Sequence, residues 1–372
     1  MAIEITRCSN AHLDSVRDFN RRLASGGEGV YALPEALEFF EKSDGGPLPW
    51  EMWVVLMDGV VRGGYVLRRQ DFRVGDETLP VVFYRLSPSE GSIDRKYAPV
   101  SMKMLTDLVR REPLVFALGM GGISSRLPQF LKALGWRLHE IPFFFRAVRP
   151  GRVLRNIQAV RRTPARRFGA EVAALSGVAT VGLWAIQTWK LIANGRARRG
   201  GRVEEVPEFG AWADDIWMAT KDLHSMVGAR DSRALNEIYS GIDMLRVKRL
   251  RVFDGDREAG WAVVLDTQMS GDKHFGNLHV GTLVDCLACE ADAALVAEVA
   301  ERFLEDRGAD IIVSNQSHEV WRRALLDRGY FQGPSNYALA ISKALAARLQ
   351  AVDPELNRIH VTRGDGDGPI NL

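Results

Sequence analysis

"RVFDGDREAGWAVVLD", residues 251–266, consists of two apolar runs folded about Asp254 and Gly255, the pairing that marks a tight β-hairpin. The same design stands far upstream in "VLMDGVVRGGYVLRRQ", residues 55–70, turning at Asp58 and Gly59. Both read D-G-x4-G-aromatic. The segments downstream of the two hairpins also match. After the first come a strand (Val81 to Leu86), a helix (Val100 to Arg111), a short apolar strand (Leu114 to Leu118), a helix (Ser125 to Leu134) closed by Gly135 and Trp136, and the strand pair "EIPFFFRAV". After the second come Leu278 to Leu287, Asp292 to Arg307, Asp310 to Ser314, Glu319 to Arg328 closed by Gly329 and Tyr330, and "NYALAISKAL". The turn aspartate and the closing glycine lie 77 positions apart in one copy and 75 in the other, which predicts a duplication.

Apolar residues recur at helical spacing, as at Leu295, Val299 and Phe303, and the helices alternate with strands. Each copy is therefore expected to be an α/β layer structure with a mixed sheet. Upstream of the first hairpin, Ile3 to Thr6 reads as a strand and His12 to Leu23 as a helix. At 372 residues the chain has room for two domains of ordinary size. The boundaries expected from the repeat are 1–150 and 205–346, with a linker over 151–204 and a tail over 347–372.

Hydrophobic residues at 46%, charged residues at 26% and a net charge of +2 describe an ordinary globular chain and identify no partner. The three cysteines, Cys8, Cys286 and Cys289, are too few for a disulfide scaffold, and no apolar leader opens the sequence, so a cytoplasmic location is expected. The C-x2-C pair at Cys286 and Cys289 lies near His274 and His279. Zinc would need these to converge; small apolar filling is the plainer expectation, and no metal is assigned. No G-x-S-x-G, Walker or H-E-x-x-H motif occurs.

The element order, with a fourth helix ending "LGW" or "RGY", resembles the GNAT acyltransferase fold. Two such units in one chain resemble the tandem proteins that include the FemAB and FemX aminoacyl transferases and the CelD-like proteins of bacterial exopolysaccharide clusters. The resemblance covers roughly residues 1–150 and 205–345. It implies an acyltransferase acting on an amino sugar or saccharide precursor in surface polysaccharide assembly, with acyl-CoA or aminoacyl-tRNA as donor. In GNAT enzymes the CoA pyrophosphate is held by backbone amides before the third helix, usually within Q/R-x-x-G-x-G/A. Neither copy has that pattern. The matching turn offers Ser87, Ser89, Gly91, Ser92, Arg95 and Lys96 in the first copy and Cys286 to Asp292 in the second, with Glu90, Asp94, Glu290 and Asp292 opposing a phosphate. The thiolate-protonating tyrosine that many of these enzymes carry four residues before the closing glycine is Leu131 or Leu325 here. The same fold allows a second outcome, a binding or scaffold protein that lost both features.

Polar groups gather at the strand ends of the second copy. Asp285 is the candidate general base, with His318 and Asn315 beside it and Ser314 toward the donor. The structural alternative is that Asp285 and Asn315 cap helices, with Asn315 or Ser317 as the N-cap before residue 319. In the first copy Tyr84, Arg85, Ser87 and Ser89 hold the equivalent place, and that copy is expected to be structural or to lend cleft walls.

Between the copies, Arg146 to Arg202 contains twelve Arg and one Lys against Glu171 alone. It encloses "AEVAALSGVATVGLWAIQTWKLIAN", in which Val172 to Trp189 carries no charge. Two uses remain open: a helix lying on an anionic membrane, or one packed between the units with its arginines neutralising their acids. A nucleic-acid contact is the weaker third. The tail "HVTRGDGDGPINL" reads as disordered unless His360, Val361 and Ile370 dock it as an extended strand, and no chemistry is assigned to it.

Overall fold

The computed structural model describes residues 3–27, 32–156, 200–240 and 246–366. They form two compact units, Met1–His139 with Ala338–Pro354 and Glu140–Tyr337 with Glu355–Leu372.

The first unit contains β1 (Ile3–Arg7), α1 (Leu13–Ser25), α2 (Glu38–Ser43), β2 (Trp50–Met57), β3 (Val60–Val74), β4 (Glu77–Arg85), α3 (Ala98–Arg111), β5 (Val115–Met120), α4 (Arg126–Ala133) and β6 (Arg137–Glu140). In the hairpin turn Asp58 (φ 51°) and Gly59 (φ 80°) are both left-handed, the two-residue turn whose twist matches that of the strands. Strands β1 to β4 are antiparallel neighbours, whereas β4 and β5 run parallel, paired at Val82 with Val115 and Phe83 with Phe116. Side chains alternate across the sheet. Met52, Val54 and Val66 meet α1 and α2 through Val16, Phe19 and Phe40, while Tyr65, Leu67 and Val82 meet α3 and α4 through Val100, Met104, Leu108 and Leu131.

The second unit contains β7 (Phe143–Ala147), α5 (Pro150–Asn156), β8 (Arg202–Val206), α6 (Ala211–Thr220), β9 (Met226–Gly228), α7 (Ser232–Ile238), β10 (Val247–Asp254), β11 (Arg257–Gln268), β12 (His279–Ala288), α8 (Ala293–Asp306), β13 (Ile311–Asn315), α9 (Glu319–Asp327) and β14 (Phe331–Gly333). Strand β15 (Tyr337–Ile341), helix α10 (Lys343–Val352) and strand β16 (Ile359–His360) follow. Strands β8, β10, β11 and β12 are antiparallel neighbours and β12 is parallel to β13, so this sheet repeats the first.

The last strands do not follow the copies. The sheet orders are β1-β2-β3-β4-β5-β15-β6 and β14-β7-β13-β12-β11-β10-β8. Strand β7, from the first repeat, pairs with β13 from Ala147–Ile311 to Phe143–Asn315, and β15, from the second repeat, lies beside β5. The two units therefore differ from the contiguous 1–150 and 205–346 division expected from the repeat, because the repeats exchange a strand between the two sheets. Helix α10 stays with the first unit, where Ser342 N donates to the Val115 carbonyl (2.9 Å) and Ser342 Oγ to that of Pro113 (2.6 Å). Residues 347–372 are likewise no single tail, since 355–366 return to the second unit.

Three arginines that open the basic stretch are bound to acids of the second unit. Arg146 pairs with Glu301 (2.8 Å) and Glu305, and Arg149 and Arg152 pair with Asp310 (3.3 and 3.1 Å). Residues 157–199, with the apolar candidate helix, lie outside the described residues. Among the described residues no helix is long and apolar enough to cross a membrane.

Candidate active site

Strands β12 and β13 are hydrogen-bonded only from Val280–Ile311 to Leu283–Ser314. Beyond that their ends carry Asp285 and Cys286 on one side and Asn315 to His318 on the other. Against β11, the register of β12 slips between Val263–Asp285 and Val264–Leu283, a β-bulge of the kind that re-aims a side chain. The first unit has no such bulge between β3 and β4. Asp285 thus lies on a strand and caps no helix.

Asp285 is fully buried and fully partnered. Its Oδ2 accepts from Tyr239 Oη at 2.9 Å and lies 3.0 Å from Arg230 Nε; its Oδ1 accepts from Cys286 N (3.0 Å) and Thr362 Oγ1 (2.9 Å). Burial pushes its carboxyl above the ordinary value against the pull of Arg230. Burial works to lower Arg230, but the facing carboxylates of Asp285 and Asp365 hold it above its ordinary value. Burial, and then the Asp285 charge, push the Tyr239 phenol well up.

Of the two expectations for the tail it is docking that holds for residues 359–366, which are the roof of this site, while Ile370 lies outside the described residues. Residues 359–366 run through the opening between the two strand ends. Strand β16 pairs in parallel with β9, Ser317 Oγ donates to the carbonyls of Ile359 (2.8 Å) and Val361 (3.0 Å), and Arg363 Nε donates to Asn315 Oδ1 (3.0 Å). Asp365 Oδ1 lies 2.7 Å from Arg230 Nη2. Gly364 has no alternative: a Cβ there would stand 2.4 Å from Tyr239 Oη and 2.7 Å from Asp285 Oδ2. Sequence reasoning found Asp285 but missed Arg230, Tyr239, Thr362 and Asp365. The docking of His360 and Val361 is the one signal of them.

His318, the second candidate, is the N-cap of α9, its Nδ1 accepting from Val320 N at 3.3 Å; the expected caps Asn315 and Ser317 bind the tail instead. Its ring lies 4.8 Å from that of His224 and 6.2 Å from that of His360, and His224 stacks on His360 at 5.0 Å. Ser314 Oγ donates to the Leu283 carbonyl (2.9 Å), which ties the two strands together rather than facing a donor. The three catalytic candidates are thus brought together, but around the tail.

Burial, then the neighbouring imidazoles and Arg230, hold His224 and His360 well below the usual imidazole value; Arg358 adds to this at His224. Once the tail leaves, these rings bind protons more readily, so docking is at full strength above the ordinary value of about 6.5. It weakens as pH falls, by about 1.4 kcal/mol per pH unit for each imidazole. The melting temperature of the intact protein is expected to fall more steeply between pH 6.5 and 5 than that of His224→Phe; parallel curves would reject the coupling.

The expected donor residues spend their polar groups on their own loop. Ser89 Oγ accepts from Gly91 N (3.1 Å), Ser92 N and Oγ donate to the Ser89 carbonyl (3.1 and 2.9 Å), and Ser87 hydrogen-bonds the Tyr84 side chain. Lys96 donates twice to Asp94, from N at 3.1 Å and from Nζ at 2.8 Å, while Arg95 is exposed. A Cβ at Gly91 would stand 3.0 Å from Ala98 Cα and Tyr97 O, so this glycine serves close packing of loop on helix. Glu90 is buried between Arg22 (2.5 Å) and Arg62 (2.7 Å). In the second unit Asp292 precedes α8 and takes Arg257 through both oxygens (2.7 and 2.8 Å). Ahead of each third helix, where the resemblance would put a pyrophosphate, stands a carboxylate already satisfied by arginine. These loops do not fit one.

Cys286 packs in the core against α8, and burial pushes its thiol well up. Among the described residues no group of three His, Cys, Asp or Glu is placed to hold a metal ion.

No protein-family model matches this sequence, and no curated protein resembles it in sequence. Solved structures do resemble it. A GCN5-related N-acetyltransferase from Anabaena variabilis aligns at TM-score 0.54 and 9% identity, covering 93% of this chain and 74% of that one. A probable N-acyltransferase of Enterococcus faecalis aligns at 0.52 and 10%, covering 92% and 73%. Saccharomyces cerevisiae N-myristoyltransferase with bound myristoyl-CoA aligns at 0.50 and 10%, covering 92% and 78%. At such identities the likeness concerns the fold, and with the two sheet orders it makes the architecture of this chain two GNAT-type folds in tandem.

Proposed function

We propose that this chain is an acyltransferase whose reaction centre lies in the second unit, with Asp285 as the base. The observation that carries the reading is the placement of Asp285 on the bulge of β12, where β12 and β13 part, with Tyr239 and Arg230 on one oxygen and a hydroxyl on the other. In the reaction the acceptor gives a proton to Asp285 Oδ1 as its oxygen or nitrogen bonds the acyl carbon. The donor's leaving group departs with its electron pair and takes that proton up. Tyr239 and Arg230 keep the carboxylate oriented throughout. An amino sugar or saccharide precursor of surface polysaccharide as acceptor, acting at the inner face of a membrane, is what the FemAB and CelD resemblance adds.

A second reading, a binding or scaffold protein, is favoured by the arginine-bound carboxylates ahead of both third helices. Melting with acetyl-CoA, longer acyl-CoAs and free CoA separates the two. A ligand at a hundred times its Kd stabilises by about 2.7 kcal/mol. The acyltransferase is expected to show that gain with at least one donor, and no gain with any of them at saturation would sink the CoA-dependent version.

A further inference from the structure

We infer that residues 359–366 are a built-in stand-in for the acceptor, and that the site they fill takes a small molecule bearing a hydroxyl or amine together with a carboxylate. This rests on the acyltransfer reading and adds the chemistry of the acceptor to it.

Two contacts define the mimicry. Thr362 Oγ1 lies 2.9 Å from Asp285 Oδ1, the distance and donor sense of an acceptor hydroxyl engaging its base. Asp365 Oδ1 lies 2.7 Å from Arg230 Nη2, the charge-assisted contact a ligand carboxylate would make. The same segment therefore offers a hydroxyl and an anion at once, to a base and to a fully buried guanidinium. Between them Gly364 brings bare backbone against Tyr239 Oη and Asp285 Oδ2, so the occupant is narrowest where the base is nearest.

The segment is braced from within. Thr362 N donates to Asp365 Oδ2 at 2.8 Å, so the hydroxyl and the carboxylate are held at a fixed spacing by the turn itself. Besides the two mimicking contacts, its docking uses two residue pairs of strand ladder, Ile359–Met226 and His360–Val227, Ser317 beneath, Arg363 on Asn315, and the His360 ring on the Cys286 carbonyl at 2.8 Å. Charge favours exchange over simple loss. With Asp365 in place Arg230 faces two carboxylates, and an incoming carboxylate restores the same arrangement, whereas a neutral sugar or alcohol leaves the guanidinium with Asp285 alone. An acidic sugar or a hydroxy acid fits these terms.

The test follows hydrogen exchange at the Val361 amide, which donates to Ser317 Oγ at 2.7 Å, in the full chain without any acyl donor. The probes are two matched pairs, D-glucuronate with D-glucose and L-lactate with 1,2-propanediol. In the unaltered chain at least one acid is expected to speed exchange tenfold or more while its neutral partner does not. In Asp365→Asn the amide is expected to exchange at least tenfold faster before any ligand is added. If each acid acts no differently from its neutral partner, the inference is overturned, and the unaltered chain decides this even where the variant folds poorly. Because no donor is present, failure here leaves the acyl-CoA melting result standing, and failure of that melt leaves this one.

Discussion

A fragment of residues 1–150, the whole of the first repeat, is expected not to fold. In far-ultraviolet circular dichroism it melts without a cooperative transition, and adding a peptide of residues 337–354 restores one. The fragment retains β1 to β6 but lacks β15, the strand between β5 and β6. With that strand go Ala340 from the core beneath α4 and the two bonds from Ser342 to the carbonyls of Val115 and Pro113. The inner edge of β5 is then bare, its backbone groups unpaired in an apolar setting, at about 1–3 kcal/mol for each buried group left without a partner. The same fragment carries β7 with no sheet to join, exposing Phe143, Phe144 and Phe145. Domain stability is about 5–15 kcal/mol in all, so a few such losses suffice. A cooperative melt from 1–150 alone would show the exchange to be dispensable.

The exchange also marks the limit of what the sequence disclosed. The helices at 98–111, 126–133, 293–306 and 319–327 and the strands around them fall within a few residues of expectation, because periods of 3.6 and 2 are local signals. The final strands carry no such signal of destination. "FFFRA" and "YALAI" are apolar on nearly every position, so either would serve as a central strand in either sheet, and only the complete core decides between them. The candidate site divides the same way. Asp285, Asn315 and His318 stand beside recognisable strand ends. Arg230 and Tyr239 lie in an unremarkable stretch after β9, and Asp365 sits among glycines that read as solvent-facing. The tail is drawn inward by the pairing of Asp365 with a buried arginine more than a hundred positions away, a relation no window of sequence contains.

Replacing Arg230 by methionine is expected to cost about 3–5 kcal/mol of stability, the loss incurred when one partner of a buried ion pair is removed. Arg230 is fully buried and is the cation shared by Asp285 and Asp365. Without it the fully buried Asp285 loses the strongest pull that offsets its burial, and at neutral pH it must take up a proton or the segment that carries Asp365 must leave. This fixes the sign of the pH effect. Burial already holds Asp285 above its ordinary value against the pull of Arg230, and in Arg230→Met that pull is gone, so the variant gains more from protonating Asp285 and the gap between the two proteins narrows as pH falls toward the carboxyl range and widens above it. A unit of 150–250 residues loses about 2–4 °C per kcal/mol, which makes the difference easy to see in a melt. Adding Asp285→Asn and Asp365→Asn to Arg230→Met should recover much of the loss, since neutral amides require no counter-charge. A single variant that melts with the unaltered protein, or a loss that grows on acidification, would show that the guanidinium does not hold the tail by its charge. The recovered triple variant would retain its fold and, having lost both the base and the anion anchor, would no longer distinguish D-glucuronate from D-glucose.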